Sequence, residues 1–228
     1  MDRLTYVLVH GAWHGAWCWR DVTAELDRRG VAWRTLDLPS GRDTGAGSSD
    51  LADDASAVAT AAEGSGPVVL VGHSYAGAVI AEAAANVDEL SSLVFIAALI
   101  PGLGQSANDA SRELRVRTSL DEAIVVDGPL LRIDPERASE AFYGDCSPSD
   151  QEWAIAHLGT QTLASFLSAR QTPDPSVPRR YILCDRDRAI DPALQELMSQ
   201  RCDDILRLTS DHSPFISHAE ECVNAIVG

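Results

Sequence analysis

Three observations place this 228-residue chain in the α/β class, as a mostly parallel six-stranded sheet with helices on both faces and an inserted cap. Short apolar, β-branched runs alternate with helical patterns, and right-handed strand–helix–strand crossovers turn that rhythm into a parallel sheet. One such run, Val68-Val69-Leu70-Val71, meets an Ala-rich helix within a few residues, across Gly72-His73-Ser74-Tyr75-Ala76-Gly77. Between residues 103 and 172 the rhythm changes, and it resumes after Pro173, Pro175 and Pro178. The expectation is one domain, with a core of residues 1–102 and 173–228 and a cap insertion, 103–172.

Taken in order, Tyr6–Val9 is an apolar strand that runs into His10-Gly11-Ala12-Trp13-His14-Gly15, where glycines let the backbone turn with its N–H groups outward. Asp21–Arg29 carries Val22 and Leu26 at helical spacing and stops at Gly30. Strand Val31–Leu38 follows. The loop Pro39–Ser49 contains Gly45-Ala46-Gly47, too incomplete for a dinucleotide fingerprint. Helix Leu51–Glu63 ends in Gly64-Ser65-Gly66-Pro67, and beyond the Val68 strand lie helix Ala78–Asn86 and strand Leu93–Ala98, closed by Pro101-Gly102. The inserted stretch predicts a helix at Ala107–Arg117, β-like pieces at Ile124–Val126 and Leu130–Ile133, and helices at Pro135–Phe142 and Pro148–Leu158. Ser147 caps the last of these, with Pro148 in its first turn. Strand Arg180–Cys184, helix Pro192–Arg201, strand Ile205–Leu208 and helix Ser217–Val227 complete the core.

Composition narrows the function. Hydrophobic residues at 45% and charged residues at 23% are ordinary globular proportions, which argues against disorder. No apolar run approaches the roughly 20 residues of a membrane-spanning helix. Met1-Asp2-Arg3-Leu4 enters a strand too soon for a signal-peptide core, so the expected location is cytoplasmic. Cys18, Cys146, Cys184, Cys202 and Cys222 are odd in number and widely spaced, which reads as reduced thiols rather than a disulfide framework or a zinc site. The formal charge of −16 argues against nucleic acid or an acidic membrane as partner. All 18 basic residues are arginine, so Schiff-base chemistry, a covalently held pyridoxal and a lysine-bearing phosphate loop lose their required residue. No cofactor and no metal are expected; the partner is a small molecule, and a homodimer is compatible with the sequence.

Glycine at 72 and small residues at 76 and 77 leave room for a sharp strand-to-helix reversal that lifts Ser74 above the sheet, the arrangement called a nucleophile elbow. The bland alternative is a serine capping a helix. A serine hydroxyl needs a neighbouring imidazole to take its proton and a carboxylate to fix the tautomer, in the chain order Ser, acid, His. Of six histidines, His212 lies in a loop just past the last strand, in Ser210-Asp211-His212-Ser213-Pro214. His73 reads as packing behind the elbow, His157 as a cap-helix residue and His218 as a last-helix residue. Asp185, Asp187 and Asp191 follow the strand ending at Cys184; Asp187 is preferred, with Asp185 read as a turn residue and Asp191 as a helix cap. The acyl-transfer oxyanion would be met by the backbone N–H groups of Ala12 and Tyr75. A metal site from His10 and His14 lacks the helix and the intervening glutamate that such a pair requires.

Leu8-Val9-His10-Gly11-Ala12-Trp13-His14-Gly15-Ala16-Trp17-Cys18-Trp19, Gly72-His73-Ser74-Tyr75, the run from Tyr181 through Asp187 to Ile190, and Asp211-His212-Ser213 together resemble the α/β-hydrolase branch of plant methylesterases, hydroxynitrile lyases and bacterial esterases. The resemblance covers nearly the whole chain and weakens in the cap, where Cys146-Ser147-Pro148 still matches. It implies Ser74, Asp187 and His212 as a catalytic triad, Ala12 and Tyr75 as oxyanion donors, and a sheet without the first two strands of larger hydrolases. Two positions depart from the pattern: Ala76 replaces the more usual glycine, and Ser213 stands where the lyases carry lysine.

The expected activity is therefore cofactor-independent hydrolysis of small or medium apolar carboxylic esters. A lyase using the same site, or a small-molecule binding module without catalysis, are the rival readings. The expected substrate pocket involves Trp13, His14, Leu120, Ile124, Leu130, Phe142 and Trp153, because pockets are mostly apolar.

Overall fold

The computed structural model describes residues 4–41 and 48–228; Met1-Asp2-Arg3 and the Gly45-Ala46-Gly47 stretch lie outside the described residues. Strands β1 (Thr5–Val9), β2 (Ala32–Thr35), β3 (Val68–His73) and β4 (Leu90–Ile96) alternate with helices α1 (Arg20–Arg28), α2 (Leu51–Ala62) and α3 (Ala76–Ala83). Every residue of β1 and β3 is buried, as central strands covered on both faces must be. Each fully buried Val or Leu in them contributes about 1.5–3 kcal/mol relative to exposure. Asp50 and Asp53 form a reciprocal capping box that starts α2.

From β4 the chain leaves the core. It forms α4 (Ala107–Ser111), α5 (Ser119–Ala123), the hairpin β5 (Ile124–Asp127) and β6 (Leu130–Ile133), α6 (Pro135–Phe142), α7 (Pro148–His157), β7 (Gln161–Thr162) and α8 (Leu163–Leu167). Strands β5, β6 and β7 make a separate antiparallel sheet, with Gly128 at φ +59° in the hairpin turn. The chain then returns through β8 (Arg179–Cys184), α9 (Pro192–Ser199), β9 (Asp204–Leu208), α10 (Pro214–Ser217) and α11 (Ala219–Val227). The core sheet has the order β2-β1-β3-β4-β8-β9, and all its pairings are parallel. This is the α/β-hydrolase fold.

Several elements differ from the sequence expectation. The expected helix Ala107–Arg117 stops at Ser111: Ser106 and Asp109 cap its start, and the following residues are drawn to other partners, as when Glu113 pairs with Arg201 at 2.7 Å. Strand β2 is shorter than Val31–Leu38 because the Leu38 N–H leaves the sheet and donates to His10 Nε2 at 3.0 Å. Strand β4 starts at Leu90 and ends at Ile96, where Ala97 takes φ +44°. Helix α3 begins two residues earlier than expected, and its tail, Ala84–Asn86, is a 3-10 turn. The expected helix Ser217–Val227 begins at Ala219 as α11, and a short helix that was not expected, α10, precedes it across His218.

Candidate active site

Strand β3 ends at His73, and Ser74 follows with φ +56°, a left-handed conformation that costs a non-glycine residue about 1–3 kcal/mol. The surroundings hold it there: Ser74 N–H donates to the Ile96 carbonyl at 3.0 Å, and its own carbonyl accepts from Gly77 and Leu99, each at 3.1 Å. Two neighbouring glycines are required by close approach. A Cβ at Gly72 would fall 2.7 Å from the Ala76 carbonyl oxygen, and one at Gly77 would fall 2.4 Å from that of Leu99. Ala76, at the position where the resembling family more usually carries glycine, is fully buried in the first turn of α3.

The loop after β1 lies against the elbow, since a Cβ on Gly11 would sit 2.9 Å from Ser74 Cβ. Trp13, at φ +62°, anchors that loop to the excursion: its indole N–H donates to the Leu131 carbonyl at 3.1 Å, and its own carbonyl accepts from Gly159 N–H at 2.7 Å. Among the described residues neither the Ala12 N–H nor the Tyr75 N–H has an acceptor. Paired N–H groups are the rule in a folded interior, so two free ones flanking a strained serine are notable.

Of the three carboxylates after β8, the structure brings one to a histidine. Asp187 Oδ2 accepts from His212 Nδ1 at 2.7 Å and from Gln195 Nε2 at 2.8 Å. Its Oδ1 accepts from the N–H groups of Ala189, at 2.7 Å, and Ile190, at 2.9 Å. Both side chains of the pair are buried, and the bond makes His212 Nδ1 the protonated nitrogen, leaving Nε2 as an acceptor. Asp185 instead pairs with Arg207 at 2.9 Å, and Asp191 caps α9 through Ala193 N–H at 2.8 Å. No hydrogen bond among the described residues joins Ser74 Oγ to His212. Such bonds are often long before substrate arrives.

The other histidines are committed elsewhere. His73 donates through Nε2 to the His212 carbonyl at 2.9 Å, with the two rings 4.5 Å apart, so it props the backbone behind His212. His14 donates through Nδ1 to the Ala12 carbonyl at 2.9 Å and accepts at Nε2 from the Tyr143 hydroxyl at 2.8 Å. Burial pushes it down to about 3, so it is neutral. His157 packs on Trp153, and His218 bonds Ser217 Oγ at 2.9 Å.

A cavity of about 710 Å³ opens over Ser74. Of the residues the sequence suggested for a pocket, Trp13, Leu120 and Ile124 line it, together with Leu131, Phe166, Ile190 and Leu194. Four expected residues lie off it. His14 is fully engaged by the bonds just described. Leu130 points the other way on β6, where side chains alternate, and Leu131 takes the cavity side. Phe142 is buried among Trp13, His14 and His212, with ring centroids 5.4–6.0 Å away. Trp153 packs on Trp17 and under the Arg20 guanidinium, 3.9 Å from its ring centre. Leu131, Ile190 and Leu194 escaped sequence reasoning; the run Ala189-Ile190 beside the candidate acid was the available signal.

The sequence matches the family described as the alpha/beta hydrolase family over residues 6–225. It is 25% identical over 243 residues to an alpha/beta hydrolase of Aspergillus novofumigatus, covering 99% of this chain and 96% of the relative. It is 28% identical over 237 residues to methyl jasmonate esterase 1 of Vitis vinifera, covering 93% and 91%. A pyrethroid hydrolase of Sphingobium faniae JZ-2 superposes with a TM-score of 0.85 at 25% identity, covering 98% of this chain and 96% of that one. With a match that runs nearly from end to end, the chain belongs to the alpha/beta hydrolase family.

Proposed function

We propose that the chain is a carboxylesterase-like serine hydrolase, acting without a cofactor on small or medium apolar esters through an acyl-enzyme. The observation that carries this reading is the buried Asp187–His212 pair at 2.7 Å together with Ser74 strained at the end of β3. Ser74 Oγ attacks the ester carbonyl carbon as His212 Nε2 takes its proton. Asp187 keeps His212 in the tautomer that leaves Nε2 free and stabilises the imidazolium that forms. The carbonyl oxygen, now anionic, is met by the Ala12 and Tyr75 N–H groups, which have no other acceptor among the described residues. His212 returns the proton to the departing alcohol. Water, deprotonated by the same imidazole, then attacks the acyl carbon, and the acid leaves with Ser74 restored.

The excursion between β4 and β8 acts as a cap whose apolar side chains select the substrate, and the esterase and hydrolase names of the relatives support an ester as the substrate. An activated aryl ester should give a burst of alcohol followed by slower steady turnover, and a fluorophosphonate should label Ser74. Absence of labelling in an enzyme that still turns over ester would contradict the mechanism.

A further inference from the structure

Helix α2 carries an aspartate that the mechanism above does not use. Asp54 is fully buried, and among the described residues no arginine pairs with it. Its Oδ1 accepts from Ser40 N–H at 2.9 Å, and its Oδ2 accepts from the Ser40 hydroxyl and from the Tyr75 hydroxyl, the latter at 2.8 Å. The Ser40 hydroxyl in turn accepts from Gln161 Nε2 at 2.7 Å, and the same amide reaches Ser165 Oγ at 2.6 Å. All five side chains are buried. They come from the turn after β2, from α2, from the elbow, and from β7 and α8 in the excursion.

A buried carboxyl group is expensive unless it is hydrogen-bonded, and an apolar residue of similar size often serves packing as well or better. Burial pushes Asp54 up to about 6, and among the described residues its partners are the Ser40 N–H and the Ser40 and Tyr75 hydroxyls, each of which can donate to the ionised carboxylate. Its bond to the active-site region goes through the Tyr75 phenol. That ring also packs on Phe166 at 5.1 Å and walls the cavity beside Ser74. The Tyr75 backbone N–H is the proposed oxyanion donor next to Ser74, so both ends of this residue matter.

We propose that Asp54 is a positioning residue for the oxyanion half of the site, pinning the Tyr75 phenol so that the Tyr75 N–H stays aimed at the developing oxyanion. This rests on the reading of Ser74 as nucleophile. The gain is geometric: a misplacement of about 1 Å in a catalytic group can cost on the order of 100-fold in rate.

Two variants and their combination test the assignment, measured with a 4-nitrophenyl ester. Tyr75→Phe removes only the hydroxyl, and Asp54→Asn keeps the size but turns an amide toward donors. Each should lower kcat by about 10-fold while KM changes by less than about two-fold, and the double variant should lose no more than the worse single one. Losses that multiply in the double variant, or a Tyr75→Phe enzyme with normal kcat, would overturn the proposal. Thermal unfolding accompanies each variant; should Asp54→Asn not fold, the nearly isosteric Tyr75→Phe decides alone. If Ser74→Ala keeps its turnover, the esterase reading itself fails; if Ser74→Ala is inactive while Tyr75→Phe is normal, only the role of Asp54 is lost.

Discussion

His212 Nδ1 lies 2.7 Å from Asp187 Oδ2, and the same carboxylate is gripped by two backbone N–H groups and the Gln195 amide. Four donors around one carboxylate fix its position without a cation. Asp187→Asn should therefore lose about 10³- to 10⁴-fold in kcat, because the amide favours the wrong tautomer of His212. Asp185→Asn and Asp191→Asn, made in parallel, should stay within a few-fold of the parent. A larger loss for Asp185→Asn than for Asp187→Asn would mean that the other carboxylate orients the histidine.

Substrate selection should follow the cavity wall rather than the apolar content of the excursion as a whole. Leu120→Ala and Ile124→Ala enlarge the cavity and should shift preference toward longer or bulkier esters. Trp153→Ala, which strips a ring packed on Trp17 and Arg20, should leave the ranking of esters unchanged. Kinetics on a graded ester series separate the two outcomes. A ranking that moves with Trp153 but not with Leu120 or Ile124 would place the substrate elsewhere.

Acid lability should trace in part to His14. Burial lowers it from the ordinary 6.5 to about 3, so between those values the unfolded chain holds a proton that the folded chain refuses. Its contribution is complete above pH 6.5 and falls as the pH drops through that window, by on the order of 4 kcal/mol. Asp54 works in the opposite direction: burial raises it from 3.8 to about 6, so its contribution is complete below 3.8 and is lost as the pH rises through 6. Urea unfolding of the parent and of His14→Gln at pH 7 and pH 4 makes the comparison. The variant should be weaker at pH 7 yet lose less on acidification; equal losses would remove His14 from the explanation.

Cyanohydrin cleavage is a different demand on the same site, since the leaving cyanide is anionic and calls for a cation near the histidine. Ser213, beside His212, is neutral and fully buried. With mandelonitrile the enzyme should release cyanide no faster than buffer does. Efficient release without ester hydrolysis would overturn the esterase reading and leave the fold untouched.

Much of the fold, and where the candidate residues lie in it, was legible in the sequence for reasons that are local. The elbow shows itself because Gly72 and Gly77 mark backbone contacts too close for any other residue, and His212 and Asp187 follow the ends of strands that hydrophobic runs identify. What was not legible depends on distant partners. Asp54 follows Asp53 in the first turn of α2, and its burial is decided by Ser40 and Tyr75, 14 and 21 residues away. The choice between Leu130 and Leu131 is one of strand parity, which an apolar pair cannot reveal. Strand β7 and helix α8 are two and five residues long, too short to show a period.

Whether Ser74 Oγ is the nucleophile is read from the steady turnover of an activated ester by Ser74→Ala. Far-ultraviolet circular dichroism and thermal unfolding should match the parent, since the substitution removes one oxygen atom. The variant should lose the burst and fall in kcat by about 10³-fold or more, with residual rate from the oxyanion donors and binding alone. A folded Ser74→Ala enzyme that hydrolyses the ester at the parent rate would contradict that role for Ser74.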